Sequence, residues 1–588
     1  MHKQNSPMPR PKKRYLLVRL CRYFGRHKLM VFAAVSLTVG SNLLALVGPS
    51  LSGRAIDAIQ PGPGAVVFRQ VFYYCGLMAL FYAGSSLLSY ILSSLMIFLS
   101  QKIIYQMRKE VFHKLLDLPV NYFDQHQTGD ILSRLSYDID TVNASLSNDL
   151  LQICTSIITV VGSFIMMIRI SPPLVTVFLF TIPASILFTR YRSRKVRPLF
   201  RRRSEKLGEL NGYAEEIISG QKTIKSYHQE ETMQERFNQR NTEAVDAYYN
   251  ADYYGSVTGP CINFINNLSF TLISIFGAIL FLQNMLTLGT ISTFILYSRK
   301  FSGPINEAAN IISELQSAFA AAERVFRLID ESPEPPDVPG AEVLAETGGN
   351  VSMEHIRFGY LPGQTIIRDL SLRAPGGSTV AIVGHTGAGK TTLINLLMRF
   401  YDPQDGVIAV DGRDIQGLTR KSLRLSYAMV LQDTWLFSGT IFENIAYGRP
   451  DATLEEVTAA AKAAHIHSYI SRLPDGYNTI INEDGLNISQ GQKQLLTIAR
   501  AMLLDAKMLI LDEATSNVDT QTERKIQAAM QELMKGKTCF VIAHRLSTIQ
   551  NADTILVVDG GDIVEQGTHR ELMEKGGHYA ALYNAQFQ

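Results

Sequence analysis

Residues 379–394 read TVAIVGHTGAGKTTLI, an apolar run that is followed at once by a glycine-rich loop. The part from Gly384 to Thr391 fits the pattern G-x-x-x-x-G-K-[ST], which links a strand to a helix. Glycines let the loop backbone wrap a phosphate group, and the N–H groups of the loop and of the helix N-terminus attract its negative charge. The stretch therefore predicts an α/β domain that binds a nucleotide.

The chemistry of such a loop gives its last residues separate tasks. Lys390 is expected to reach the β- and γ-phosphates, and Thr391 to ligate Mg²⁺. A second apolar run, MLIL at 508–511, ends in Asp512 and Glu513. An Asp at the end of a buried strand is the expected second Mg²⁺ partner, and Glu513 is placed to polarise the attacking water. A helix N-cap is the alternative role for either carboxylate.

The N-terminal half has a different character, with apolar runs long enough to cross a bilayer, which takes about 20 residues. Six candidates lie at 29–49, 70–99, 145–169, 173–191, 260–283 and 288–312. The intervening segments near 100–144 and 192–255 are long and hold most of the basic residues. Because positive charge marks the cytoplasmic side, we expect both long segments and both termini in the cytosol.

The predicted spans contain polar residues but few charges at mid-depth. Such polar groups either bond between helices or line a pathway, and interhelical bonding is favoured for any single one. The residues concerned are Ser41, Asn42, Asn266 and Asn267. Since we find no intramembrane proton or ion relay, the energy for any transport is expected to come from the nucleotide.

Composition excludes several other classes of protein. The net charge of +3 and the absence of a zinc-finger or RNP-like motif give no reason to expect nucleic acid. The five cysteines are scattered without a C-x-x-C pair, which argues against a disulfide framework or a metal site.

The domain boundaries follow from local patterns at each end of the spans. Apolar residues between Arg14 and Arg26 recur near helical spacing, which predicts an amphipathic helix on the membrane surface; a solvated basic terminus is the alternative. The Pro- and Glu-rich stretch at 331–350 cannot continue a helix. We predict an amphipathic region over 1–28, a transmembrane domain over 29–325, a linker over 326–350 and a nucleotide-binding domain over 351–588.

Between the two nucleotide motifs, residues 487–492 read NISQGQ, which resembles the L-S-G-G-Q signature of the ATP-binding cassette superfamily. Together with the six spans ahead of it, this motif makes the chain similar to exporter-type half-transporters. The resemblance implies an all-α six-helix transmembrane domain of the exporter fold, followed by an α/β P-loop ATPase domain with a helical subdomain. It implies ATP and Mg²⁺ as cofactors.

The resemblance also implies roles for single residues, although each has a plain structural alternative. Tyr360 in FGY resembles the aromatic residue that stacks on adenine, and Gln432 in VLQD resembles the glutamine that touches Mg²⁺ and water. Asp519 resembles the D-loop aspartate, and His544 the switch histidine that contacts the γ-phosphate. The implied phosphate-binding residues are Gly384, Thr386, Gly387, Gly389, Lys390, Thr391 and Thr392. The implied metal ligands are Thr391, Gln432 and Asp512.

In this family each ATP lies between the P-loop of one cassette and the signature of another. Ser489, Gly491 and Gln492 would therefore serve an ATP held mainly by a partner. Gln490 departs from the usual glycine while Glu513 is retained, and in heterodimeric exporters an irregular signature often accompanies an intact glutamate. The run at 294–326 also looks like bacterial heterodimeric multidrug exporters. We favour a heterodimer in which the partner is a different chain with a degenerate Walker B motif. A homodimer is the alternative.

The function implied is export of hydrophobic or amphipathic compounds, drugs or lipids, across the cytoplasmic membrane by alternating access. The segments at 122–140 and 215–231 resemble those that couple the cassettes to the membrane helices. A siderophore or peptide carrier is an alternative within transport. A membrane ATPase that acts as a sensor without transport is the alternative from another class.

Overall fold

The computed structural model describes residues 13–59, 66–361, 363–385, 387–432, 434–482, 488–512, 519–543 and 546–587. The chain divides into two compact units. The first consists of Met1–Asp117 and Gln127–Glu331, and the second of Leu118–His126 and Ser332–Gln588.

The described part of the first unit is helical. The helices up to its end are α1 (Lys13–Gly25), α2 (Lys28–Asp57), α3 (Phe68–Asp117), α4 (Val120–Gln125), α5 (Thr128–Ser133), α6 (Ile139–Ala144), α7 (Leu150–Ile170), α8 (Pro172–Ser219), α9 (Gln221–Ser226), α10 (Glu230–Ser256), α11 (Thr258–Leu282) and α12 (Leu288–Asp330). Two π-helical turns, Arg134–Asp138 and Ser145–Asp149, join α5, α6 and α7 into one continuous pass. Helix α4 belongs to the second unit.

Five helical passes among the described residues are long and apolar enough to cross a membrane. They are Lys28–Asp57, Phe68–Asp117, Thr128–Ile170, Pro172–Ser219 and Glu230–Leu282. The sixth predicted span, 288–312, lies in α12, whose hydropathy is lowered by Arg299 and Lys300. Both cations lie inside the predicted span 288–312, and sequence reasoning did not single them out.

Helix α12 also continues past the predicted start of the linker at 326 and ends at Asp330. Residues 315–330 read LQSAFAAAERVFRLID, which contains strong helix formers and no proline. The first proline beyond it is Pro333, where a helix cannot continue. The helix therefore includes residues 326–330, the first five residues of the predicted linker.

The second unit holds the strands. They are β1 (Val351–Phe358), β2 (Ile367–Ala374), β3 (Thr379–Val383), β4 (Asp405–Val410), β5 (Arg413–Asp414), β6 (Tyr427–Val430), β7 (Gly439–Thr440), β8 (Ile480–Ile481), β9 (Met508–Asp512), β10 (Thr538–Ile542), β11 (Thr554–Asp559) and β12 (Asp562–Gly567). Its helices after α4 are α13 (Lys390–Leu397), α14 (Arg420–Leu425), α15 (Ile441–Ile445), α16 (Leu454–Ala463), α17 (His467–Ile470), α18 (Gln490–Leu504), α19 (Thr520–Met534), α20 (Leu546–Gln550), α21 (His569–Lys575) and α22 (His578–Phe587).

The main sheet has six strands in the order β12-β11-β3-β10-β9-β6, parallel except for β12 at the edge. Its inner strands are apolar throughout because both faces are covered. In β3, Val380 and Ile382 belong to the core that contains α13, whereas Ala381 and Val383 belong to the core that contains α18. The strand's alternation thus places the P-loop helix and the signature helix on opposite faces of the sheet.

In the first unit, a proline within a membrane helix determines how α2 and α12 pack. Pro49 has no N–H group, so the carbonyl of Ala45 loses its usual donor four residues on. The Lys300 ammonium group of α12 donates to that carbonyl at 2.7 Å. A backbone acceptor that has no water available in a bilayer is thereby satisfied by a side chain from another helix.

Two more donors lie on the same face of α12, three to four residues apart. The Tyr297 hydroxyl donates to the Leu46 carbonyl at 2.5 Å. The Thr293 hydroxyl lies within donating distance of two carbonyls, Gly289 of its own helix at 2.8 Å and Pro49 of α2 at 3.2 Å. The Tyr297 side chain is fully buried. These three side chains hold α12 against the stretch of α2 from Ala45 to Pro49.

Beyond this point the two helices meet backbone to backbone. A Cβ atom built on Gly289 would lie 2.0 Å from the carbonyl oxygen of Gly53. The Asp57 carboxylate accepts from the backbone N–H of Gly289 at 2.8 Å, near the start of α12. Glycine is therefore required where the helices approach most closely.

Polar residues in the other spans also bond between helices, as predicted for Asn42. Its side chain accepts from the Thr159 hydroxyl of α7 at 3.2 Å and donates within α2 to the Thr38 carbonyl at 2.8 Å. The Ser85 hydroxyl of α3 donates to the Ser41 carbonyl at 2.8 Å. These contacts link α2 to both neighbours.

We predict that Lys300→Met destabilises the protein by about 1 kcal/mol, because it orphans the Ala45 carbonyl. The same substitution should cost less in a Pro49→Ala background, where residue 49 supplies an N–H to that carbonyl. Thermal unfolding of the four variants in detergent measures this coupling as a double-mutant cycle. An equal cost in both backgrounds would show that the Lys300 bond does not compensate for the proline.

We predict that Gly289→Ala lowers the unfolding temperature, by a stability loss of about 1–3 kcal/mol, since its Cβ would overlap the Gly53 carbonyl. The matched control is Gly76→Ala in α3, where a Cβ meets nothing within 4 Å. That variant should be as stable as the unmodified chain or slightly more so, because alanine favours a helix. Equal melting of the two variants would contradict the close approach.

Candidate nucleotide-binding site

The parallel strands bring the sequence motifs to one edge of the sheet. Strand β10 pairs with both β3 and β9, so that Ile542 lies opposite Ile382 and Asp512. Strand β6 runs parallel on the outer side of β9, and Gln432 follows it as an exposed residue. The carboxyl ends of these strands therefore meet where the loop that begins at Gly384 leaves β3.

The loop backbone adopts conformations that glycine alone enters freely. Gly387 has φ +85° and Gly389 has φ +107°, and Gly389 is the N-cap of α13. A Cβ atom on Gly387 would meet nothing within 4 Å, so this side of the loop faces open space. The loop thus forms a concave backbone next to a helix N-terminus, which is the geometry of a phosphate cradle.

Lys390, the first residue of α13, lies at the centre of this edge. Its ammonium group donates to the Gly384 carbonyl at 2.6 Å and to the His385 carbonyl at 3.0 Å. Burial lowers the pKa of Lys390, and the nearby Asp512 carboxylate opposes this shift. The structure therefore brings together the two predicted residues that come from separate motifs.

Tyr360 is fixed against the start of α13. Its hydroxyl donates to the Thr392 hydroxyl at 3.2 Å and accepts from the Asn395 amide at 3.0 Å. Its ring packs edge-on against Phe358 and Tyr401, with centroids 5.0 and 4.9 Å away. The aromatic residue predicted to contact a base is thus half-buried and held by four neighbours.

Tyr401 extends this cluster to a segment distant in the sequence. Its hydroxyl donates at 2.5 Å to the carboxylate of Asp124, which lies in α4. Burial and this hydrogen bond raise the pKa of Tyr401. The predicted coupling segment at 122–140 includes Asp124, but sequence reasoning missed Tyr401, because no local pattern pairs two residues 277 positions apart.

The signature residues form the beginning of α18. Ser489 is the N-cap, its hydroxyl accepts from the Gln492 N–H, and the Gln492 side chain accepts from the Ser489 N–H at 3.1 Å. This reciprocal capping box explains both residue types in structural terms. Gly491 is buried, whereas Ser489 and Gln490 are exposed.

Asp519 has a comparable structural task at the N-cap of α19. Its carboxylate accepts from the backbone N–H groups of Gln521 and Thr522 at 3.1 and 2.9 Å. The bonds to Thr522 and Gln521 lower the pKa of Asp519. Of the predicted site residues, Thr386, Glu513 and His544 lie outside the described residues.

Comparison with known proteins agrees with both halves of the chain. The family described as ABC transporter transmembrane region matches residues 31–305, and that described as ABC transporter matches residues 367–516. An uncharacterized ABC transporter ATP-binding protein of Bacillus subtilis, YfiC, is 42% identical over 572 residues, 97% of this chain and 94% of its own length.

Two further proteins carry more information in their names. A Mycobacterium bovis protein named fatty acid ABC transporter ATP-binding/permease protein is 48% identical over 485 residues, 82% of this chain and 76% of its own. A bacterial Atm1-family ABC exporter solved with ATP bound has a TM-score of 0.78 and 31% identity, and the match covers 95% of this chain and 98% of that one. This chain therefore belongs to the ABC transporter family, as an exporter-type half-transporter in which a membrane region and an ATPase that drives transport share one polypeptide.

Proposed function

We propose that this chain is one half of a dimer that uses ATP hydrolysis to export amphipathic, lipid-like compounds across the cytoplasmic membrane. The observation that carries the proposal is the glycine-lined loop with Lys390 beside Asp512 at the carboxyl edge of the sheet. The same chain contains five helical passes, among the described residues, that are apolar enough to cross a membrane, which supports coupling of hydrolysis to transport. The name of the fatty acid relative and the apolar spans favour a lipid-like cargo.

Each residue of the proposed site acts on one part of the nucleotide. The Tyr360 ring would stack on adenine, and the backbone from Gly384 to Gly389 would donate to the phosphates. Lys390 would place its charge between the β- and γ-phosphates, in exchange for its present bonds to loop carbonyls. Thr391 and Thr392 lie at the start of α13; Thr391 is exposed, whereas Thr392 is buried.

We propose Thr391, Asp512 and Gln432 as the ligands of Mg²⁺. The described residues contain no group of three His, Cys, Asp or Glu that could hold a metal alone. Mg²⁺ is usually bound by one or two protein oxygen ligands together with phosphate oxygens of the substrate. A site with one carboxylate and one hydroxyl therefore suits this ion. When bound, the ion would neutralise charge on the phosphates. Glu513 would accept the proton of the attacking water, while Gln432 and His544 would orient the reacting groups.

A partner chain is needed because the signature and the P-loop of one cassette do not share a side of the sheet. Helix α13 packs on one face of the sheet and α18 on the other. Ser489, Gly491 and Gln492 would therefore complete a site on a second cassette, with Asp519 at the same interface. Half-transporters of this family function as dimers, and we propose a heterodimer because Gln490 breaks the signature while Glu513 is retained.

Charge supports a cytosolic cassette with both termini on that side. Helix α8 carries exposed arginines just beyond its apolar span, at Arg194, Arg197, Arg201 and Arg202. Such clusters are retained on the cytoplasmic side of a membrane. ATP is available there, so the proposed orientation and the proposed energy source agree.

We predict that Glu513→Gln reduces ATP hydrolysis about 100-fold or more while nucleotide binding persists, because only proton transfer from water is lost. In inside-out vesicles that hold this chain and its partner, uptake of a fluorescent fatty acid should stop as well. Glu532→Gln, at an exposed carboxylate of α19, is the matched control and should leave both rates unchanged. Hydrolysis that persists in Glu513→Gln would refute the assignment of the base; hydrolysis without any flux in the unmodified protein would favour the sensor alternative.

We predict that the chain purified alone hydrolyses ATP slowly and gains activity at least tenfold with its partner. The physical reason is that each ATP needs a P-loop and a signature from different cassettes. Size measurement by light scattering and steady-state hydrolysis test this. Robust, cooperative, drug-stimulated hydrolysis by the chain alone would overturn the heterodimer and leave the homodimer.

A further inference from the structure

A cavity of about 300 Å³ lies inside the first unit, beneath α1. Its walls come from six helices and one π-helical turn, and they include Leu20, Val35, Leu99, Val142, Leu146, Cys154 and Ala318. These residues belong to α1, α2, α3, α6, the turn Ser145–Asp149, α7 and α12. The cavity is formed by one chain, and it is open on one side, since the lining residues Leu17 and Val35 are exposed.

The lining can receive only hydrocarbon. Every residue that lines the cavity is uncharged, and nearly all are aliphatic or aromatic. The hydroxyl groups come from Thr38 and Ser145, and Thr38 already donates to the Ala34 carbonyl at 2.7 Å. A polar ligand group would lose its water without finding a partner here, whereas an apolar chain loses nothing.

Helix α1, which covers the cavity, is anchored by polar contacts on its other side. Arg19 forms an ion pair with Asp330 at the end of α12, and the Tyr23 hydroxyl donates to Glu110 of α3. Arg26 reaches the same carboxylate at 3.1 Å. Helix α1 is thus held to α3 and α12, while apolar residues such as Leu20 face the space beneath it. These contacts fix the helix that covers the cavity.

The position of the cavity indicates what fills it. Helix α1 has the basic, amphipathic pattern of a helix that lies at the headgroup level of a membrane. Helices α2, α3 and α7, which supply much of the remaining wall, belong to passes that are apolar enough to cross a membrane. Arg22 and Lys28 are exposed near the end of α1 and form no ion pair within the described ranges. An apolar space below such cations matches a lipid with an anionic headgroup.

We propose that the cavity holds one acyl chain of an anionic phospholipid, whose phosphate lies at the membrane surface near Arg22 and Lys28. The second chain of the lipid stays in the bilayer, since the volume suits a single chain. This lipid is a resident ligand that stabilises the first unit, because a ligand that binds only the folded chain raises its free energy of unfolding. Its role is distinct from that of the transported cargo.

Photo-cross-linking in nanodiscs tests the proposal with the full chain and its partner. The probe is phosphatidylglycerol with a diazirine near the end of one acyl chain, and mass spectrometry locates the adducts. We expect adducts on peptides of α1 and α7 that contain Cys21 and Cys154. Ala318→Phe and Ala34→Phe, which fill the cavity from two helices, should each reduce these adducts at least fivefold.

The matched control is Ala320→Phe, an exposed position of α12 that does not line the cavity, and it should label like the unmodified chain. A thermal unfolding series with added phosphatidylglycerol gives an independent reading. The lipid should raise the unfolding temperature of the unmodified chain and of Ala320→Phe, but not of the two filled variants. Equal labelling of filled and unfilled chains would overturn the proposal, and so would labelling by diazirine palmitate with none by the phospholipid probe.

Discussion

The negative charge of a triphosphate is the constraint around which the second unit is built. The proposed site meets this constraint by bringing backbone N–H groups, the Lys390 ammonium and the Asp512 carboxylate to one place, although they come from different parts of the chain. A parallel sheet achieves this because all its strands end at the same edge. The register that sets Ile542 opposite both Ile382 and Asp512 is therefore the feature on which the site depends. The two apolar cores on either face of the sheet hold that register.

A different constraint acts on the first unit, because a bilayer offers no water to an unpaired backbone group. Pro49 creates such a group at Ala45, and α12 supplies Lys300 to satisfy it. A charged side chain that is costly within a membrane is thereby tied to a carbonyl. The close approach of Gly53 and Gly289 follows from the same packing, since the helices must be near enough for side chains to reach across.

The parts that could be predicted are those whose signal is local in the sequence. The P-loop conformation follows from glycines at fixed positions, and the membrane helices from runs of apolar residues. The role of Lys300 could not be predicted, because it depends on a proline some 250 positions away that only the packing brings near. The predicted linker began at 326, whereas the helix-forming residues before Pro333 carry α12 to Asp330. Asp519 illustrates the converse, since its N-cap geometry accounts for the residue type with or without a nucleotide.

The cluster around Tyr360 links the start of the P-loop helix to helix α4. Tyr360 is bonded to Thr392 at the start of the P-loop helix, packs on Tyr401, and through it reaches Asp124 of α4. Tyr401 packs edge-on against the Tyr360 ring and donates to Asp124, so Tyr360 and α4 share one side-chain neighbour. Helix α4 continues the chain directly from α3, which ends at Asp117. The aromatic residue nearest the proposed adenine site is therefore connected, by two side-chain contacts, to the segment that leads back into a membrane helix.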